Sequence, residues 1–104
     1  MIQLIKRGEC MKKIIDEVID FRDKRGWKNS DKPDSLAKSI IIEAAELLEN
    51  YQWGAEFADI QNVKDEIADV LIYSIAFAYD QGFDIEEIIR EKLVKNSIKY
   101  PEKK

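Results

Sequence analysis

Histidine is absent from this chain of 104 residues. Its absence excludes His-based general acid–base catalysis, Ser-His-Asp and Cys-His nucleophiles, and nearly every zinc site. The one cysteine, Cys10, cannot close an intrachain disulfide, which is consistent with a reducing cytosol. No segment approaches the ~20 apolar residues of a membrane span, and the N-terminus lacks the apolar stretch of a signal peptide. We therefore expect a cytoplasmic protein with no membrane partner.

Basic residues are too few for a partner made of duplex nucleic acid. Lysine and arginine number 17 and aspartate and glutamate number 21, which gives a net charge of −4. A concentrated basic face supplies most of the affinity for a duplex, so we expect no duplex nucleic acid partner. Hydrophobic residues make up 45% and charged residues 37% of the chain, as in folded globular domains. We predict one domain over residues 1–104, with 1–9 as an N-terminal extension and 101–104 as a polar tail.

Turn-forming residues are also scarce, with two prolines and four glycines. Between them, apolar residues recur at steps of three and four, which is typical of amphipathic helices. The sequence therefore predicts an all-α fold with four main antiparallel helices. The segment 54–62 is ambiguous and could form a short extra helix. The first predicted helix lies between Gly8 and Gly26, and the second runs from Asp34 or Ser35 as N-cap to Trp53. The third runs from about 62 to 80 with Gly82 as the stop, and the fourth runs from Asp84 as N-cap to Tyr100.

Two acidic pairs interrupt the apolar sequence of the second and third helices. Glu43 and Glu46 are three residues apart, as are Glu66 and Asp69, and both pairs share the pattern acid-x-Ala-acid-x-Leu. Antiparallel helices would bring the pairs face to face, where four carboxylates repel each other unless protons or cations compensate. All-oxygen ligation suits Mg²⁺, with Mn²⁺ as a possible substitute. One such pair would more often be a solvated face, but two matched pairs favour a metal site.

A polar stripe on the fourth helix offers cations for an anionic substrate. Lys92, Asn96 and Lys99 lie at i, i+4 and i+7, with Lys95 beside them. Lysines bind phosphate oxygens as mobile point charges, and the asparagine amide can donate or accept a hydrogen bond. The alternative is an ordinary solvent face whose last turn favours cations against the helix dipole.

Three aromatic residues stand near these groups in the predicted fold. Trp27 lies in a polar loop, Trp53 at a helix end, and Tyr73 one turn after Asp69. Aromatic planes beside a metal and phosphate site are what stacking on a nucleobase requires. Packing in the core is the more usual role of such residues in a small domain, so both interpretations stay open for each of the three.

The ordered set of motifs resembles a known family. The two acidic pairs, with 19 residues between Glu46 and Glu66, resemble the signature of the MazG-like all-α nucleoside triphosphate pyrophosphohydrolases. FRDKRGW, EAAELLENYQW, DEIADVLIY and the terminal KxxxNxxKYP extend the likeness to the dCTP pyrophosphatase branch over about 80 residues. Asp31 stands where relatives of that branch carry a histidine, which puts the preference for cytosine in doubt.

The resemblance implies Mg²⁺-dependent hydrolysis of a nucleoside triphosphate to the monophosphate and pyrophosphate, in the service of nucleotide-pool sanitation. It also implies a homodimer or a dimer-of-dimers tetramer, in which oligomerisation completes the helical bundle and neighbouring chains line the active site. The resemblance carries over metal binding at the catalytic site for Glu43, Glu46, Glu66 and Asp69. It also carries over phosphate or sugar contacts for Lys92 and Asn96, with Lys95 and Lys99 beside them, and a base pocket for Trp27, Trp53 and Tyr73. Because the chain has no histidine, a metal-bridging carboxylate must accept the proton, and Glu46 is the first choice.

Two alternatives remain open at this point. The chain could be a non-catalytic helical dimerisation module whose acidic cluster binds no metal. It could also be a pyrophosphohydrolase of phosphoribosyl-ATP or dUTP on the same helical scaffold, although paired aromatic residues favour a pocket that grips a base.

Overall fold

The computed structural model describes residues 9–103, and within that range it contains helices and no strands. The prediction of an all-α fold with four main helices is confirmed. Two short 3-10 turns stand in the connections, and the second lies in the segment predicted to be ambiguous. The expected N-terminal extension over 1–9, apart from Glu9, and the last residue of the expected tail lie outside the described residues. The elements are α1 Glu9–Lys24, a 3-10 turn Trp27–Asn29, α2 Pro33–Glu49, a 3-10 turn Ala55–Phe57, α3 Ile60–Asp80 and α4 Ile85–Lys99.

Aspartate side chains cap two of the helices. The predicted cap Asp84 is confirmed, because its carboxylate accepts a hydrogen bond from the backbone amide of Glu87 at 3.0 Å. Asp59 caps α3 in the same way through two first-turn amides, so α3 begins earlier than expected. The predicted caps of α2 are wrong. That helix begins at Pro33 after Lys32, since the fixed φ and missing amide hydrogen of proline suit a first turn.

Gly82 ends α3, as predicted. Its φ of 75° lies in the left-handed region that favours glycine. The Gly82 amide donates to the carbonyl of Tyr79, and the Phe83 amide donates to the carbonyl of Ala78, both at 3.0 Å. This pair of hydrogen bonds satisfies two of the last carbonyls of the helix and turns the chain sharply into α4.

The α2–α3 hairpin is the main packing unit of the fold. α2 packs mostly against α3, whereas α1 and α4 each touch α3 over a short stretch. At the closed end of the hairpin, the Asn50 Nδ2 amide donates to Asn62 Oδ1 at 2.8 Å. Leu36 and Ala76 are each only 2% exposed and, with Val18 of α1, belong to the small buried core.

Many large apolar side chains stay uncovered in the single chain. On α4, Leu93 and Ile98 are 61% and 78% exposed, and Ile41 on α2 is 69% exposed. The accessible surface is 8857 Å², whereas a compact monomer of this mass exposes ~6,000 Å². Among residues 9–103, none of the helices combines the length and the apolar character that a bilayer crossing requires. One chain therefore leaves open apolar faces that its own four helices do not close.

The buried Leu36 provides a test of the core. We expect Leu36→Ala to lower the free energy of unfolding by about 2–5 kcal/mol, because it removes buried methyl groups and leaves a cavity. Urea denaturation followed by circular dichroism at a fixed protein concentration measures the loss. The exposed Lys38 on the same helix is the matched control, since Lys38→Ala should change the stability by less than ~0.5 kcal/mol. Equal stabilities for the two variants would contradict this description of the core.

Candidate metal centre and adjoining cavity

The register of the α2–α3 hairpin brings the acidic pairs together. The hydrogen bond between Asn50 and Asn62 sets one pair of facing positions at the closed end. One turn further from that end, four residues along each helix, α2 carries Glu46 and α3 carries Glu66. Glu43 and Asp69 come three residues after that. Because both helices have the same rise per residue, acids of α2 stand opposite acids of α3.

Three of these carboxylates converge on one point. Glu43, Glu46 and Glu66 each offer an oxygen, and these three oxygens lie within 4.8 Å of one another. All three residues are half-buried. Glu43 Oε2 and Glu66 Oε2 are fully buried and have no hydrogen-bond partner within the described range. Buried carboxylate oxygens without donors need a cation or a proton, so this acidic triad fits a hard divalent cation.

Burial and crowding of the triad carboxylates raise the pKa values of Glu43 and Glu66. Burial raises the pKa of Glu43 from its ordinary 4.5 to about 7, and hydrogen bonding with Glu66 and repulsion from Glu46 add to the rise. A hydrogen bond from Glu43 lowers the pKa of Glu66, but burial and the charge of Glu46 raise it overall. A proton held on Glu43 therefore relieves the repulsion when no cation does.

Asp69 stands beside the acidic triad and outside the group of three. Its charge contributes to the raised pKa of both Glu43 and Glu66. Asp69 also lines a neighbouring cavity, together with Tyr73 one turn further along α3. Burial raises the pKa of the Tyr73 phenol, and the charges of Glu43 and Asp69 raise it further. Asp69 and Tyr73 thus connect the triad with the cavity.

The cavity has apolar walls and a volume of about 420 Å³. Val18 and Phe21 of α1, Ile72 and Ala76 of α3, and Trp27 of the connecting loop form these walls. The Phe21 and Trp27 rings meet edge to face, with centroids 5.7 Å apart. A space of this size with aromatic sides accommodates a planar ring next to the carboxylates.

The predicted site residues divide into two groups in the structure. The three triad acids, Asp69, Trp27 and Tyr73 lie at the acidic triad or in the wall of the cavity. Trp53 does not line the cavity and is 77% exposed in the connection after α2. The polar residues of α4 do not line it either, namely Lys92, Lys95, Asn96 and Lys99.

Comparison with known proteins identifies the family of the chain. Residues 38–104 match the family model described as the MazG-like family. The chain belongs to the MazG-like family. A solved structure of a pyrophosphatase from Archaeoglobus fulgidus DSM 4304 superposes with a TM-score of 0.84 and is 36% identical, covering 96% of this chain and 100% of that one. The resemblance stated from the motifs is thereby confirmed.

Curated relatives of this MazG-like chain include mammalian dCTP pyrophosphatases. The mouse dCTP pyrophosphatase 1 is 26% identical over 91 residues, and the human protein of that name is 28% identical over the same length. The match covers 79% of this chain and 54% of each relative. The chain thus spans about half the length of the curated relatives it matches.

A buried ion cluster at one end of the cavity was not predicted from the sequence. Arg22 is only 3% exposed and lies between Asp31 of the loop and Asp80 at the end of α3. Hydrogen bonding to Asp80 raises the pKa of Arg22 despite its burial. One signal was present in the sequence, because Arg22 follows Val18 by four residues and so occupies the apolar face of α1.

The raised pKa of Glu43 predicts how stability depends on pH without metal. Since the folded-state pKa of about 7 exceeds the ordinary 4.5, the native state binds more protons between these values. Stability should therefore be highest near pH 5 and fall as the pH rises through 7. Melting temperatures in a chelating buffer from pH 5 to 8 measure this effect. Glu43→Gln, which mimics the protonated side chain, should flatten the profile. An unchanged slope in that variant would contradict the assignment.

Proposed function

We propose that this MazG-like chain hydrolyses a nucleoside triphosphate to the monophosphate and pyrophosphate, with Mg²⁺ as cofactor. The observation that carries the proposal is the acidic triad, with two buried and unpartnered oxygens, beside an aromatic-walled cavity. The names of the relatives, dCTP pyrophosphatase and pyrophosphatase, support the same activity. Removal of unwanted nucleoside triphosphates from the nucleotide pool is the role that we propose for it.

The acidic triad and Asp69 would hold the metal. Mg²⁺ bound there, or Mn²⁺ in its place, would neutralise charge on the triphosphate and lower the pKa of water. Glu43 Oε2 and Glu66 Oε2 are the oxygens that most need a cation, because no donor within the described range satisfies them. Asp69 lies on the side of the cavity, where it contributes negative charge toward a bound ion.

We assign the proton-accepting role to Glu46. The chain contains no histidine, so a carboxylate of the triad must take the proton of the attacking water. The two buried, unpartnered oxygens belong to Glu43 and Glu66, which leaves Glu46 freer to accept a proton while its neighbours hold the cation. The Glu46 oxygen lies within 4.8 Å of theirs, so the proton would be taken beside the cation that these oxygens would hold.

The cavity is the proposed site for the nucleobase. Trp27, Phe21 and Tyr73 surround it with aromatic planes, and stacking on such planes contributes roughly 1–3 kcal/mol per base. Asp31, which replaces the histidine of the dCTP branch, also lines the cavity and is paired with Arg22. Cytosine is therefore one candidate base among several, and dUTP and phosphoribosyl-ATP belong in the substrate panel.

We further propose that the working unit contains two copies of the chain or a dimer of such dimers. The exposed apolar residues of α2 and α4 and the large accessible surface support this assembly. The surface exceeds that of a compact monomer by about 2,900 Å² per chain, which is more than the roughly 1,000 Å² per partner that the smaller obligate dimers bury. Lys92 and Asn96 of α4 do not line the cavity of their own chain. A second copy would bring its α4 to the phosphates, and its Trp53 toward the base.

Substitution of Glu46 in the triad and of Asp69 beside it tests the proposed hydrolase activity against the alternative of a non-catalytic dimerisation module. Native protein should release pyrophosphate from at least one member of a panel of canonical and modified nucleoside triphosphates with Mg²⁺. We expect Glu46→Gln and Asp69→Asn to lower kcat by at least ~100-fold while circular dichroism stays unchanged. The exposed Glu49 on α2 is the control, and Glu49→Gln should keep full activity. Full turnover in the two site variants would contradict the assignment.

Millimolar Mg²⁺ should also raise the melting temperature of the native protein, because a ligand that binds only the folded state stabilises it by mass action. The shift should be larger at pH 8 than at pH 6, since the cation competes with the proton on Glu43. Glu66→Gln should reduce the shift. Absence of any shift in the native protein, together with absence of turnover, would favour the non-catalytic dimerisation module.

Mixing two inactive variants tests whether the site is shared. Glu46→Gln disables the acidic part of a chain and Lys92→Ala disables its α4. If α4 acts on the neighbouring copy, a mixed dimer contains one intact site, and an equimolar mixture should regain about one quarter of native activity per chain. Sedimentation at the assay concentration checks that dimers form. No recovery in mixtures that do form mixed dimers would contradict the shared site.

A further inference from the structure

Arg22 is a charged side chain buried where three parts of the fold meet. It projects from α1, is 3% exposed, and contacts the loop after α1 as well as the end of α3. Its guanidinium lines the cavity that we propose for the base. The proposed chemistry assigns no task to it. A buried cation loses its hydration, and this cost is offset only where carboxylates pair with it and accept its hydrogen bonds.

Arg22 donates two hydrogen bonds to each of its two partners, and the pair to Asp80 is the shorter. Nη1 and Nη2 donate to the two carboxylate oxygens of Asp80 at 3.0 and 2.8 Å, which is a bidentate pair. Nε and Nη2 both donate to Asp31 Oδ2, at 3.3 and 3.2 Å. Asp80 therefore anchors the guanidinium to α3, and the guanidinium in turn tethers Asp31.

Asp31 closes the short loop that carries Trp27. The loop leaves α1 at Gly26 with a left-handed φ of 68°. Its backbone folds back on itself, because the Trp27 carbonyl accepts from the amides of Ser30 at 3.0 Å and Asp31 at 2.8 Å. Because the Asp31 amide is hydrogen-bonded to the Trp27 carbonyl, a displacement of Asp31 also displaces Trp27. The Arg22–Asp31 pair links this loop to the end of α3 through Asp80, while the Trp27 ring itself packs against Phe21 of α1.

We propose that Arg22 is a positioning residue that fixes Trp27 in the wall of the cavity by tethering Asp31 to the end of α3. The pair sets the affinity for the planar ring that enters the cavity. This second statement rests on the proposed function, whereas the tether itself does not. Because Arg22 acts through the loop and not on the phosphates, its loss changes KM more than kcat.

Asp31 is the better position for the test, because its removal leaves Arg22 paired with Asp80. Asp31→Ala should raise KM about tenfold and change kcat by less than about twofold, since a small displacement of a binding wall weakens binding. Asp31→Glu keeps a carboxylate for Arg22 and should restore KM to within about threefold of the native value. Asp23→Ala, at an exposed acid of α1, removes the same charge without touching the tether and should leave KM unchanged.

The direction of the change in KM is decisive. Removal of a carboxylate from the cavity would by simple electrostatics favour an anionic nucleotide and lower KM. The tether requires the opposite sign. A KM for Asp31→Ala that is unchanged or lower than native would overturn the proposal.

The fluorescence of Trp27 tests the tether apart from catalysis. In a Trp53→Phe background, Trp27 is the one tryptophan left. We expect Asp31→Ala to raise acrylamide quenching of its emission about twofold, as the loop opens more often, while Asp23→Ala and Asp31→Glu leave it unchanged. Equal quenching in all variants would overturn the tether. If the native protein hydrolyses no nucleotide, the proposed function fails while the quenching result still decides the tether.

Discussion

Mutual repulsion among carboxylates is the constraint around which the α2–α3 hairpin is arranged. The helices place three glutamate oxygens within 4.8 Å of one another, and burial raises the pKa of Glu43 to about 7. Such a cluster is unfavourable for folding by itself, because each ionised carboxylate loses solvent and faces like charge. The hairpin tolerates it through the apolar packing around Leu36 and the Asp59 cap of α3. A site of this kind is explained by a ligand of opposite charge.

The second feature that needs a physical explanation is the apolar surface that the helices of a single chain leave exposed. α2 and α3 pack closely, but α4 touches the rest of the chain over a short stretch and exposes Leu93 and Ile98. The cationic residues of α4 do not line the cavity beside the acidic triad of their own chain. Both features have one physical explanation in the proposed assembly, in which the exposed faces pack against a second copy and the lysines approach its carboxylates.

The sequence predicted the secondary structure and part of the site, for identifiable reasons. Apolar spacing, the Asp84 cap and the Gly82 stop are local signals, and they located three of the four helices closely. α2 was the exception at both ends. It begins at Pro33, because the preference of proline for a first turn outweighed the aspartate and serine that follow, and it ends at Glu49, before the predicted end at Trp53. The acidic pairs were evident because each repeats the same pattern among aliphatic residues. Arg22 was missed, since its partners Asp31 and Asp80 are distant in sequence or in a loop.

The sequence by itself determined the four helices, the family and the identity of the acidic residues, because these depend on contacts within a few residues or on the order of motifs. The sequence also predicted that the acidic pairs meet, but tertiary structure alone decided that Glu43, Glu46 and Glu66 form the group of three while Asp69 lines the cavity. It alone placed Trp27, which is 45% exposed, in the cavity wall and left Trp53 outside that wall and 77% exposed. The physical reason is that burial, pairing and pKa depend on which helix faces meet, and local sequence does not encode the register between helices.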